Sequence, residues 1–522
     1  MIMPKLTIDD KPVEVPEGAT ILDAAEKLRV EIPTMCFKRG YEPSTSCMVC
    51  VVEIEGKGGL VPACGAVAAE GMRVRTDTER VRDARKTAIE LLLSDHLGDC
   101  MGPCHVTCPA HMNIPLMIRQ IASGQMREAL ITVKRDIPFG AVLGRICPAP
   151  CEKACRRAVI DGAVAICLLK RYVADVDLES SDSYRPSCKA ESGKRVAIVG
   201  AGPAGLSAAY YLRQQGVVCT VFDDREKPGG MLQYGVPEED LPRNVLDKEI
   251  ATLTLDGVEM KQGVRVGQAV SMEDLQKDFD AVFVACGSRE KADPEALGLK
   301  TTAKGVAVDS QTYQTNLPGV FAGGGVVRSR KLAVRAVGDG KEAAESICQY
   351  LAGYEVAGPA TAFNTRIGKI SEEEGEEFLS QASRAERISP SAPGGGFTKA
   401  EAVAEAERCL HCDCRKPLNC KLRQYSQQYG ARHSEFKSDR KSFVQHSNHP
   451  EIIYEPGKCI DCGLCIQIAA KMGEDLGLTF IGRGFNVRVA VPFNKSVREG
   501  LKTAAIECAR ACPTGALVVK KS

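Results

Sequence analysis

Arg195-Val196-Ala197-Ile198-Val199-Gly200-Ala201-Gly202-Pro203-Ala204-Gly205-Leu206 is the stretch on which the central fold turns. The apolar run before Gly200 reads as a strand buried on both faces. Gly200, Gly202 and Gly205 permit a tight turn and let a following helix, Leu206–Gln215, bring its N-terminus against a pyrophosphate, with Pro203 and Ala204 between them. A second strand, Val217–Phe222, runs to Asp223, an acid placed to accept from a ribose hydroxyl. Strand, glycine loop, helix, strand and acid together predict a Rossmann-like dinucleotide-binding domain.

The surrounding chain is much longer than that domain. Its 522 residues suggest roughly three to five domains. The net charge of +1 gives no basic face for nucleic acid or an anionic membrane, and the absence of Trp argues against an aromatic-lined groove. No apolar run reaches the roughly 18 residues of a membrane span. Met1–Lys5 lacks the layout of a signal peptide, so a cytoplasmic location is expected. For such a protein 24 cysteines are too many to be disulfides. Cys188, Cys219, Cys286 and Cys348 stand alone and read as packing residues; the other twenty fall into five groups with short spacings, the habit of metal ligands.

The first group follows a hairpin, Lys5–Val15, turning at Asp9-Asp10, and a helix capped by Thr20 with Asp23 at the capping-box position. Cys36, Cys47, Cys50 and Cys64 then supply four thiolates, suited to a [2Fe–2S] centre. A four-cysteine zinc site is the bland alternative, but zinc ribbons pair two short Cys-x2-Cys knuckles. This stretch, with Glu70-Gly71-Met72 and Leu91–His96, resembles the N-terminal domain of [FeFe] hydrogenases and of the large iron–sulfur subunit of NADH–quinone oxidoreductase. The resemblance implies a β-grasp fold.

Next come His96, Cys100, Cys104 and Cys108-Pro109, then a helical stretch over roughly Ile114–Lys134, then Cys147-Pro148, Cys151 and Cys155. With Gly144-Arg145-Ile146-Cys147-Pro148-Ala149-Pro150-Cys151 as its motif, this pair resembles the helical two-cluster domain of the glutamate synthase small subunit and of dihydropyrimidine dehydrogenase. The resemblance implies two [4Fe–4S] clusters, one on Cys100, Cys104 and Cys155, the other on Cys108, Cys147 and Cys151. Two of eight ligand places then stay open. His96 is the candidate for one. For the other, Lys170-Arg171 cannot ligate iron as cations, and Cys167, one helical turn earlier, is an alternative to a plain core cysteine.

Lys227–Leu232, Tyr234–Pro237, Asp280–Gly287 and Pro318–Gly324 resemble the FAD half of the same glutamate synthase family. The implied FAD contacts are Gly229, Gly230, Met231, Tyr234, Val236, Gly287, Gly324 and Gly325, besides the glycine loop and Asp223. Gly325 stands where the family has an acid for the ribityl chain. Only 31 residues separate Gly287 from Gly319, where the family inserts an NAD(P)-binding domain; a βαβ unit alone takes about 30. No nicotinamide site is therefore expected in this chain. The basic group Arg328, Arg330, Lys331 and Arg335 reads as a solvated face.

Ser371–Gly396, acidic and then rich in Ser, Pro and Gly, reads as a tether. Cys409, Cys412, Cys414 and Cys420 could hold a [4Fe–4S] cluster or zinc, with the redox neighbours favouring the cluster. Cys459, Cys462, Cys465 and Cys512-Pro513 form a ferredoxin-like [4Fe–4S] set, resembling the second ferredoxin-like part of the NADH–quinone oxidoreductase subunit; Cys508 is left over. The expected organisation is a multidomain α/β and α+β fusion: 1–80 [2Fe–2S] β-grasp, 81–188 helical with two [4Fe–4S] clusters, 189–355 truncated Rossmann-like FAD domain without the NAD(P) insert, 356–398 linker, 399–432 Cys-rich motif, 433–522 ferredoxin-like. FAD, one [2Fe–2S] and three to four [4Fe–4S] centres imply an electron-transfer subunit of a multi-subunit oxidoreductase. Its partners would be other subunits and ferredoxin, with formate, hydrogen, aldehyde or NAD(P)H handled elsewhere. The alternatives are a self-contained NAD(P)H- or ferredoxin-linked flavin oxidoreductase, electron-bifurcating in one version, and a scaffold whose clusters are structural.

Overall fold

Alternating strands and helices from Arg195 to Leu351 close into a five-stranded, wholly parallel sheet. The computed structural model of the chain describes residues 3–288, 293–328, 332–392, 394–436 and 439–520. Strand order is Val320–Ala322, Ala281–Val284, Arg195–Val199, Val218–Asp223, Val258–Gln262. Val196–Val199 is buried throughout, as a strand covered on both faces must be. The helix after the glycine loop starts at Pro203 and ends at Gln214. Proline suits this first position because its missing N–H would have had no helical partner. Helix Ala333–Leu351 packs against it.

The chain divides into two compact units, each made of separated segments. The unit holding the parallel sheet comprises Gly102–Thr361 and Ala382–Leu410. Its helical part is Ile114–Ala122, Met126–Asp136, Gly140–Ile146 and Ile166–Glu179. The helical stretch expected over roughly 114–134 is two helices, parted at Gly124, whose φ of 74° cannot continue a helix. Gly144 lets two helices touch: a Cβ there would lie 2.7 Å from Arg171 Cα. Buried Glu249, from the flavin-type part, accepts from Ala141 N and Val142 N at 2.8 Å each, capping the helix that leads to Cys147. Gly338 presses equally closely on Pro109, where a Cβ would sit 2.5 Å from the carbonyl oxygen.

The other unit comprises Met1–Met101, Ala362–Gln381 and His411–Ser522. Its mixed five-stranded sheet runs Lys11–Glu14, Lys5–Ile8, Arg73–Arg75, Val51–Ile54, Leu60–Pro62. Asp9 and Asp10 take the left-handed conformation that a two-residue hairpin turn needs. Thr20 and Asp23 form the capping box of helix Ile21–Lys27, which buries Ile21, Ala24 and Ala25 against Leu6, Ile8 and Val52. A second core in this unit joins the antiparallel pair Ile452–Tyr454 and Leu517–Val519 to helices Leu464–Lys471 and Ala505–Ala511.

The stretch read as a tether is partly built in. Ser371 and Glu374 make a capping box that starts helix Glu372–Leu379. Glu374 also accepts from Phe443 N at 2.7 Å and Arg440 Nη2 at 2.9 Å, and Phe378 stacks on Phe443 with centroids 4.1 Å apart. Acidic composition suggested solvation; a paired carboxylate and one aromatic stack override it. Among the described residues no helix is long and apolar enough to cross a membrane.

Candidate redox centres

The first cysteine group forms two thiol pairs. Cys50 Sγ and Cys64 Sγ share a hydrogen bond 3.4 Å long, and Cys36 and Cys47 are hydrogen-bonded likewise. Strand Val51–Ile54 and the loop after Leu60–Pro62 carry the second pair. The hydrogen bond from Cys47 pulls the Cys36 thiol down to about 5, and the bond from Cys64 pulls Cys50 to about 7. Two pairs in one buried loop cluster fit a centre in which each of two irons takes two thiolates.

In the sheet-bearing unit a second group converges. Cys147 is hydrogen-bonded to Cys167, and Cys167 to Cys151. Lys170 lies among them, with Nζ 3.9 Å from Cys167 Sγ and within electrostatic reach of Cys108, Cys147 and Cys151. Burial works against the Lys170 charge, but these four thiols hold its pKa above the ordinary lysine value. Cys104, Cys155 and Cys409 pack against the core of the same unit. His96, Cys100, Cys412, Cys414 and Cys420 belong to the other unit.

Cys459, Cys462, Cys465 and Cys512 line one cavity, closed by Tyr454 and Leu517. Burial pushes the Cys462 thiol up to about 12, and burial with neighbouring charges raises Cys459 and Cys465 further. A cavity that discourages the thiolates of Cys459, Cys462 and Cys465 unless a cation shares it suits a metal cluster, which binds thiolates and releases their protons. Cys508 is buried and turned away, donating to Cys465 O at 3.5 Å. Among the described residues no three His, Cys, Asp or Glu side chains close to the spacing of a single metal ion.

The glycine loop has the geometry a pyrophosphate needs. Gly200 has φ 111°, and a Cβ there would meet Ala285 O at 2.5 Å, so only glycine fits. At Gly202 a Cβ would meet nothing within 4 Å, leaving the helix N-terminus open to a ligand. Gly229 donates to Ala201 O at 2.8 Å, folding the Gly229-Gly230 turn over the loop. Asp223 accepts from Ala201 N at 2.5 Å and Arg225 N at 2.9 Å, so one of its tasks is to hold the loop itself. Met231 and Tyr234 are exposed beside it, and Arg243 holds Val236 O at 2.6 Å. Gly325 lies near Gly287. Buried Asp339, missed in the sequence, accepts from Gly324 N at 3.0 Å and Tyr313 Oη at 3.1 Å and so fixes the closing turn. Arg328 faces Asp339 at 3.6 Å and is thus not simply solvated; Arg330 and Lys331 lie outside the described residues.

Family comparison gives the class of domain. Residues 3–79 match a 2Fe-2S iron-sulfur cluster binding domain and residues 96–182 the dihydropyrimidine dehydrogenase domain II with its 4Fe-4S cluster. Residues 198–257 match an NAD(P)-binding Rossmann-like domain, and 239–340 a pyridine nucleotide-disulphide oxidoreductase domain. The chain therefore combines [2Fe–2S], [4Fe–4S] and flavin-type redox domains of the kind expected, and its relatives are oxidoreductase subunits. It is 38% identical over 240 residues to the NADP(+)-dependent formate dehydrogenase subunit beta of Moorella thermoacetica, covering 42% of this chain and 32% of that one. It is 34% identical over 208 residues to the glutamate synthase [NADPH] small chain of Bacillus subtilis, covering 40% and 42%. It is 37% identical over 189 residues to the NAD-dependent dihydropyrimidine dehydrogenase subunit PreT of Escherichia coli, covering 36% and 45%. The chain thus spans 32% to 45% of the length of these relatives. The NAD(P)-binding label falls on the loop read above as the FAD site, and the sequence has no second glycine loop between Gly287 and Gly319.

Proposed function

We propose that the chain is the electron-transferring subunit of a multi-subunit oxidoreductase, binding FAD at the glycine loop and passing electrons through its iron–sulfur centres. The observation that carries this reading is one apolar cluster. Cys36, Cys47, Cys420 and Cys462 share it with Met35, Val49, Ile89, Leu93 and Leu464, so thiols from three cysteine groups meet in one dry core. A protein using its metals only as structural staples has no need to bring three groups together. In the sheet-bearing unit the contact of Gly338 with Pro109 sets Cys108 beside the helix that closes the dinucleotide fold.

Cys36, Cys47, Cys50 and Cys64 would hold the [2Fe–2S] centre. Cys108, Cys147, Cys151 and Cys167 would hold one [4Fe–4S] centre, with Cys167 filling the open place, and Cys459, Cys462, Cys465 and Cys512 another. When bound, clusters carry single electrons and a flavin couples them to two-electron chemistry. The residues around them exclude water, orient the thiols and set the local charge. FAD, rather than NAD(P), is assigned to the loop. Between Gly287 and Gly319 the described residues add only the hairpin Thr301–Thr302 with Gly305–Val306, too little for a second nucleotide domain. The donor or acceptor, whether NAD(P)H, formate or ferredoxin, is then met on a partner. The test is anaerobic purification with flavin and iron counts, followed by addition of NADH or NADPH. Bound FAD that stays oxidised with either nucleotide, but bleaches with a reduced ferredoxin or the co-purifying subunit, is expected. Flavin reduction by either nucleotide at micromolar concentration would overturn the assignment.

A further inference from the structure

The unit made of Met1–Met101, Ala362–Gln381 and His411–Ser522 brings together thiols that no spacing in the sequence joins. We infer that His96, Cys100, Cys414 and Cys420 form one [4Fe–4S] site, its ligands drawn from two segments more than 300 residues apart. This rests on the electron-transfer reading above and regroups its ligands. It takes His96 and Cys100 from the helical-domain group, and Cys414 and Cys420 from the run Cys409–Cys420.

The register is fixed by backbone. Asp99 and Asp413 form a parallel β-bridge, which sets Cys100 and Cys414 side by side, each one residue past the bridge. Leu97 N donates to Gly457 O at 2.6 Å, and Thr365 Oγ1 donates to Gly98 O at 2.5 Å, closing the segment from both sides. Cys100, Cys414 and Cys420 are all buried. Cys414 lies within electrostatic reach of Cys100, and Cys420 of both. Helix Lys421–Gln428 starts immediately after Cys420 and anchors it, with Lys421 N donating to Pro513 O at 2.8 Å.

His96 supplies the signature. Its residue is half-buried, but Nδ1 is sealed from solvent and has no hydrogen-bond partner among the described residues. The Lys458 chain runs past both Gly98, beside His96 Nε2, and Gly515, beside Cys414 Sγ, so the orphan imidazole nitrogen sits close to a buried thiol with a lone pair that a metal would use. The space is held by glycines: a Cβ on Gly515 would lie 2.5 Å from Cys414 Sγ, and one on Gly98 would lie 3.3 Å from His96 Nε2. Cys104, Cys155 and Cys409 sort away from this set, since they pack on the core of the other unit.

The test compares losses in the full chain, purified without oxygen, by iron content and by EPR of the reduced protein. Cys100→Ser and Cys414→Ser should each remove the same signal and about four irons, while Cys104→Ser spares that signal. The [2Fe–2S] signal, retained in all three, reports that the fold survives. His96→Cys should keep the iron but change the g-values of that one signal and lower its midpoint, because a thiolate adds negative charge. The inference is overturned if Cys100→Ser and Cys104→Ser erase the same signal, or if Cys414→Ser erases the one lost in Cys409→Ser while Cys100→Ser spares it. It is overturned too if zinc replaces iron in proportion. A wild-type chain with no reducible cluster would instead sink the electron-transfer reading itself.

Discussion

Removing the charge of Lys170 should lower the reduction midpoint of the cluster assigned to Cys108, Cys147, Cys151 and Cys167. Lys170 is 4% exposed, and its Nζ stands 3.9 Å from Cys167 Sγ. Two unit charges at about 4 Å interact by roughly 4 kcal/mol at an effective dielectric near 20. Charge gained on reduction is spread over a cluster, so a mean separation of about 6 Å, and roughly 3 kcal/mol, is the better figure. One charge moved through 100 mV corresponds to about 2.3 kcal/mol, so Lys170→Met should lower the midpoint by about 120 mV. Methionine keeps most of the volume, so packing changes little. The assay is a redox titration followed by EPR, with the [2Fe–2S] midpoint as internal reference. A shift under about 30 mV, less than 1 kcal/mol, or any upward shift would refute the reasoning, because the charge would then be elsewhere or absent.

Cys167→Ala should abolish that same signal with about four irons lost, while Cys348→Ala leaves iron content unchanged; equal iron in both variants would remove Cys167 from the ligand set. Gly200→Ala forces a Cβ against Ala285 O, and the purified protein should lack flavin absorbance while keeping its iron. Glu249→Ala leaves the N–H groups of Ala141 and Val142 buried without acceptors, and a thermal-shift assay should show destabilisation of about 2–4 kcal/mol. Glu374→Gln should cost about 1.5–3 kcal/mol by the same assay, since Arg440 and Phe443 N lose a charged acceptor; no change would mean that helix Glu372–Leu379 is held by its aromatic stack alone.

What could be read from sequence was local. The hairpin at Asp9-Asp10, the Thr20 capping box and the strand-to-helix turn at Gly200 each depend on residues a few positions apart, and their chemistry is explicit. The grouping of thiols was only half legible, because spacing reports which cysteines are neighbours in the chain and not which loops meet. Cys167 was visible only through its helical offset from Lys170, and the structure turns that lysine from an obstacle to ligation into the positive charge inside the group. Asp339 gave no signal at all: an acid within Gly338-Asp339-Gly340 looks like a helix surface, yet it is buried and holds Gly324 N. The tether failed for the same reason, since the Glu374 partners lie some 70 residues away.

Charge gives the two buried lysines beside the thiols, Lys170 and Lys458, a common purpose. Four thiolates around a cluster leave net negative charge, and burying it without compensation is costly. Lys170 answers this in one unit. In the other, Lys458 is 2% exposed, pairs with Glu455 at 2.5 Å and faces Cys414 and His96. Glu455 cancels much of the Lys458 charge, whereas among the described residues no carboxylate is paired with Lys170 Nζ. A lysine already neutralised can do less for its cluster, and a neutral imidazole in place of one thiolate makes up the difference by removing a negative charge at the source. On this argument His96 is the compensation that the Lys458–Glu455 pair makes necessary. Glu455→Gln, which frees Lys458, should then raise the midpoint of the His96 cluster and leave that of the Lys170 cluster where it was.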